Sequence, residues 1–121
     1  MDRKKLAREV RKQRRLEALG SNNPICGTCG ETDWRCLEGH HPAGEKHDAL
    51  TVPTCRNCHR KVTDDQKDHP PHDPGADAEL AGIGHFLMGL GDLHRLAGEK
   101  LSASAAILIE RATNKGREQN P

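Results

Sequence analysis

The chain has 121 residues, one Trp, one Phe and no Tyr, with 31% charged against 33% hydrophobic residues. Such a composition excludes a large aromatic core and leaves one small domain with appendages, which needs a metal or disulfides to fold. The net charge of +1 is unevenly spread: Arg3, Lys4, Lys5, Arg8, Arg11, Lys12, Arg14 and Arg15 crowd the start, while Asp64, Asp65, Asp68, Asp73 and Asp77 crowd the middle.

The first segment, 1–20, reads as a basic helix over 2–19. Asp2 can cap its start and Gly20 stops it. Its apolar stripe is thin (Leu6, Val10, Leu16 and Leu19) and the rest is mostly cationic. Such an arm suits contact with DNA or RNA phosphates. A solvated helix is the plainer reading.

Segment 21–67 carries two CxxC pairs, Cys26 with Cys29 and Cys55 with Cys58. Two tight turns of this kind can bring four thiolates to one tetrahedral zinc. Cross-paired disulfides are the alternative. The charged N-terminus lacks the apolar stretch of a secretory leader, so reduced thiols in a cytoplasmic protein are expected, and metal is favoured. The order predicted is a knuckle turn over 25–31, a strand over 34–40, a Pro-Gly loop at 42–44, a return strand over 49–53, and a helix over 56–65. Cys36 falls on the first strand and is expected to be a buried apolar thiol.

Segment 68–77 (DHPPHDPGAD) is a Pro-rich linker, whose His69 and His72 are expected to be exposed. Segment 78–115 is helical by pattern. Leu80, Ile83, Leu87, Leu90, His94, Ala97, Leu101, Ala105, Leu108 and Ala112 recur at spacings of three and four. Five glycines between Gly82 and Gly98 weaken it. It reads as one long bent helix or a helical hairpin broken near Gly98–Ser102. Its stripe is expected to dock on the metal unit or on a second copy, giving a homodimer through residues 80–112. No membrane span is expected, because the most apolar window, 80–97, contains His85, Asp92, His94 and Arg95.

The zinc turns leave histidines free for chemistry: His40-His41 before Pro42, then His47, then His59 directly after Cys58. A neutral imidazole titrates near working pH and can take a proton from water. Adjacent strand residues point to opposite faces, so His40 and His41 share a site only if the strand ends there, as Pro42 favours.

The first CxxC turn, the run LEGHHPAG (37–44), the second CxxC turn and the Cys58-His59 pair resemble, in that order, the HNH endonucleases of the ββα-metal (His-Me finger) class. The resemblance covers residues 25–62. It implies an α+β fold, a small zinc-stabilised ββα-metal finger with an N-terminal basic helix and a C-terminal helical segment. It implies that His41 is the general base, that His40 and His59 bind the catalytic metal, and that His47 takes the bracing place often held by Asn. Hydrolysis of DNA would leave a 5′-phosphate and a 3′-hydroxyl. Beside the structural Zn2+, the expected catalytic ion is Mn2+, Ni2+, Co2+, Zn2+ or Mg2+, imidazole ligands favouring the transition metals. Arg56, Arg60 and Lys61 are candidate phosphate contacts. The family's small members often belong to phages or mobile elements. The rival expectation is a non-catalytic zinc-binding module that contacts nucleic acid or protein.

Overall fold

The computed structural model describes residues 2–119, so Met1 at the head of the first segment lies outside it. In chain order it contains helix α1 (Arg3–Leu19), a single 3-10 turn (Trp34–Cys36), strand β1 (Leu37–His40), strand β2 (Val52–Cys55), helix α2 (Arg56–Gln66) and helix α3 (Ala78–Gln119). The strands pair antiparallel, with Leu37 opposite Cys55 and His40 opposite Val52. The result is a small α+β fold of three helices around a two-stranded sheet. Among the described residues, no helix is long and apolar enough to cross a membrane.

Helix α1 begins and ends as its sequence dictates. Asp2 Oδ1 accepts the Lys5 backbone N–H at 2.8 Å, satisfying one of the donors that a helix start leaves open. Gly20 takes a left-handed φ of 71°, and its N–H returns to the Glu17 and Leu16 carbonyls. Leu16 is the buried residue of the helix, while Leu6 and Val10 are exposed. Arg15 reaches across to the Leu37 carbonyl (3.2 Å), tying the helix to the head of β1.

Both strands are displaced from their predicted bounds. Asp33 accepts the Arg35 backbone N–H (3.0 Å) and grips its guanidinium, folding 34–36 into the 3-10 turn. The strand therefore starts at Leu37, and Cys36 is half-buried on the turn instead of buried on a strand. Asp48 Oδ1 likewise captures the Leu50 N–H (3.0 Å), so the return strand starts at Val52 and not at 49. The core beneath comprises Cys26, Leu37, Cys55, Cys58, Val62 and Leu96.

Helix α3 is one unbroken helix of 42 residues, and the hairpin alternative is absent. It packs through Gly89, Asp92 and Leu96, its buried residues. The leucine stripe foreseen for docking on the metal unit does not make that contact: Leu80, Ile83, Leu87, Leu101 and Leu108 are all exposed. Close approach explains the choice of face. A Cβ at Gly89 would overlap the Pro42 carbonyl, so the helix crosses the turn after β1 where it has no side chain. Residues 101–115 are exposed throughout.

The linker also departs from expectation at His69. Its Nε2 lies 2.6 Å from Asp92 Oδ2, and its side chain is only 13% exposed. Residues 67–77 are thereby pinned to α3. His72 is exposed, as expected.

Candidate metal centres

The sulfur centre is built by two turns. Gly30, at φ 81°, closes the first, where the Cys26 N–H donates to the Glu31 carbonyl (2.9 Å) and the Gly30 N–H to the Cys26 carbonyl (3.0 Å). The Gly27 N–H reaches the Pro53 carbonyl (3.4 Å), fastening this turn to β2. The second turn is the start of α2. Cys55 is its N-cap, and its Sγ accepts the Cys58 N–H at 3.4 Å. A helix start favours negative charge, which suits a thiolate there.

Cys26, Cys29, Cys55 and Cys58 place their sulfurs within 4.8 Å of one another, with Cys29 and Cys55 3.6 Å apart. A tetrahedral zinc with Zn–S bonds near 2.3 Å sets sulfurs about 3.8 Å apart, so the four residues fit a structural metal such as zinc. Among the described residues this is the one group of three or more His, Cys, Asp or Glu with such convergence. The protonation pattern points the same way. Burial pushes the Cys58 thiol up to about 12, with its neighbouring thiols adding to that rise. Burial also raises Cys26, but hydrogen bonds from the Thr28 side chain and nearby backbone outweigh it and bring the thiol down to about 6. Four mutually crowded thiols cannot all ionise by themselves; a divalent cation supplies the charge that lets them do so.

The histidines form separate contacts of their own. His40 ends β1, where it is 1% exposed. Its Nε2 is buried without a hydrogen-bond partner among the described residues, as is Thr54 Oγ1. An orphaned buried nitrogen calls for an explanation, because burial without a partner is costly. Burial lowers the His40 pKa to about 4, the charges of His59 and His41 lower it further, and Asp92 opposes them. His40 is therefore neutral at pH 7, the form that ligates metals. His59, in the first turns of α2, sets its ring 5.3 Å from that of His40 at 66°. Its Nδ1 is 3.8 Å from Glu38 Oε1.

His41 follows the strand end, half-buried, as Pro42 requires. Its carbonyl accepts the Gly44 N–H (3.0 Å) and the Gln66 side-chain amide (2.8 Å). Gln66 also reaches the Pro42 carbonyl at 3.4 Å. The loop that carries His41 is thus braced by the last residue of α2 and covered by Gly89 of α3. His47, foreseen as the brace, has other neighbours. Its ring stacks on His85 (3.9 Å, 15°) and meets His72 edge-on (5.0 Å). Burial lowers the His47 pKa, and the charges of His85, His72 and Lys46 add to that.

His59 and Glu38 open onto a cleft of about 1260 Å³, which also exposes Arg56, Arg60, Lys61 and Arg95. Sequence reasoning missed Gln66, His69, Asp92 and Arg95. Gln66 carried no local signal, because its partner lies 25 residues away. Asp92 was legible in principle, as a carboxylate three residues after Gly89 and four before Leu96, on one face of a helix. No family model, no curated protein and no solved structure matches the chain.

Proposed function

We propose that the chain is a metal-dependent endonuclease of the HNH kind, hydrolysing DNA phosphodiester bonds. The observation that carries this reading is the orphaned, neutral, buried His40 Nε2 beside the ring of His59, which lines a cleft of mixed charge that His40 and His41 themselves do not line. A second divalent ion, separate from the sulfur centre, would give that nitrogen a partner. Strand, strand and helix occur in the order that the resemblance implies, with His40 at the strand end and His59 on the helix.

The roles follow from chemistry. His41 takes the proton from the attacking water. His40 and His59 would hold a divalent ion, which would supply Lewis-acid chemistry toward the phosphate. Glu38 stands 3.8 Å from His59 on the ring's Nδ1 side, the side from which a carboxylate would orient a metal-bound imidazole. Gln66 fixes the His41 loop from behind, the part first assigned to His47. The cationic face of α1 supplies non-specific attraction to the DNA backbone.

Plasmid nicking with single added metals tests the reading. The wild-type protein should cleave with Mn2+, Co2+ or Ni2+ at least as well as with Mg2+. His41→Ala should lose cleavage by about 100-fold or more, with zinc content and circular dichroism unchanged. Equal background nicking by both proteins would instead favour the non-catalytic zinc-binding module.

A further inference from the structure

Arg95 differs from the other cations of the cleft. Its guanidinium is held by Asp92 Oδ1, one helical turn earlier, while its side chain stays 59% exposed to the cleft. Asp92 is itself only 7% exposed, and its second oxygen is fixed at 2.6 Å by His69 Nε2 from the linker. Arg56, Arg60 and Lys61 line the same cleft with no side-chain hydrogen bond or ion pair found among the described residues, and Lys67, also in its lining, meets only the exposed Asp64 at 3.4 Å. A guanidinium carries five donors in a fixed plane. Asp92 takes one of its nitrogens, Nη2, and the rest of the side chain is largely exposed in the lining of the cleft. A pre-set fork loses little freedom on meeting a planar or tetrahedral oxyanion, whereas a free lysine or arginine must first be ordered.

We infer that Arg95, oriented by the Asp92–His69 pair, is a phosphate clamp for the nucleic-acid backbone in this cleft. The proposal rests on the nuclease reading for its substrate class and extends it to α3, outside the segment that carries the HNH resemblance. The cleft also bears Glu38, Asp64, Asp65 and Glu99. Backbone phosphate therefore needs a cation fixed in place beside these carboxylates; Lys67 is paired with Asp64 at the exposed surface, whereas Arg95 is anchored on a buried carboxylate. Asp92 and His69 are positioning residues, since neither is directed to the ligand by its own bonds.

The test is fluorescence anisotropy of a labelled duplex with the full-length, zinc-loaded protein, repeated over a series of salt concentrations. Arg95→Ala should weaken binding by roughly 5- to 10-fold and reduce the slope of log affinity against log salt by about 1. Arg95→Lys should keep the slope and still lose affinity, because the charge remains and the fork does not. Asp92→Asn should behave like Arg95→Lys. A merely structural pair would leave the slope untouched in Arg95→Ala, which overturns the clamp; so does a wild-type protein that binds no duplex. Nicking in parallel separates the two proposals. Binding with the predicted slopes but no cleavage by any metal would sink the nuclease and keep the clamp. Cleavage by wild type and Arg95→Ala with the same KM would keep the nuclease and sink the clamp.

Discussion

The metal unit around residues 24–66 and the distal half of α3 solve stability in opposite ways. In the first, four sulfurs and a few apolar side chains fix a sheet of two four-residue strands, too small to stand alone. In the second, residues 101–115 hold helical form with every side chain exposed. One region closes around four cysteines that could hold an ion, and the other rests on local helix propensity. A long isolated helix in water is marginal unless its residues favour it, and Ala-rich 102–106 does. The two regions should therefore fail independently, and this contrast can be broken or sharpened by experiment.

The largest effect expected is loss of the sulfur centre. Cys58→Ser, or exhaustive chelation, should remove the sheet and α2 altogether, because metal binding and folding are one event in units of this size. Amide exchange should show residues 24–66 unprotected, while far-ultraviolet dichroism retains the helical signal of α3. A helical signal lost in step with the zinc would mean that α3 depends on the unit.

Next comes acid. Unfolded, His40 takes up a proton near pH 6.5; folded, it resists until about pH 4. The unfolded chain therefore binds more protons in between, so stability is lost as pH falls from 6.5 toward 4. The contribution is about 3 kcal/mol at most. His40→Gln should flatten that part of the profile relative to wild type, as read by urea denaturation without a catalytic metal. Zinc thiolates protonate in both proteins and cancel in the difference.

Two glycines of the same helix then separate docking from propensity. Gly89→Ala drives a methyl into the Pro42 carbonyl and should cost about 2–3 kcal/mol, loosening α3 from the His41 loop. Gly98→Ala meets open space and should stabilise by up to about 1 kcal/mol. Thermal melts of the pair give opposite signs if α3 docks as described.

These glycines also show what the sequence could reveal. The sulfur ligands were legible because CxxC spacing is a local constraint that needs no tertiary information. The bounds of α1 were legible for the same reason, through Asp2 and Gly20. The docking face of α3 was not. Periodicity weighs large apolar residues, and this helix packs through Gly89 and Asp92, residues that the pattern scores as weak or polar. Strand bounds shifted because the short carboxylates of Asp33 and Asp48 captured backbone N–H groups, a competition that hydropathy does not register. His69 looked like a linker residue until the fold supplied Asp92. At the candidate catalytic site, the pairing of His40 with His59 was expected only from the HNH resemblance, whereas Gln66 and Arg95 come near only through the folded chain.

Cobalt titration of the metal-free protein, followed by absorption spectroscopy, tests the central claim most directly. The account predicts two equivalents: a first with the intense sulfur-to-cobalt bands of four thiolates, and a second without them that disappears in His40→Ala and His59→Ala. A single equivalent, or a first site whose spectrum changes when His59 is replaced, would contradict it.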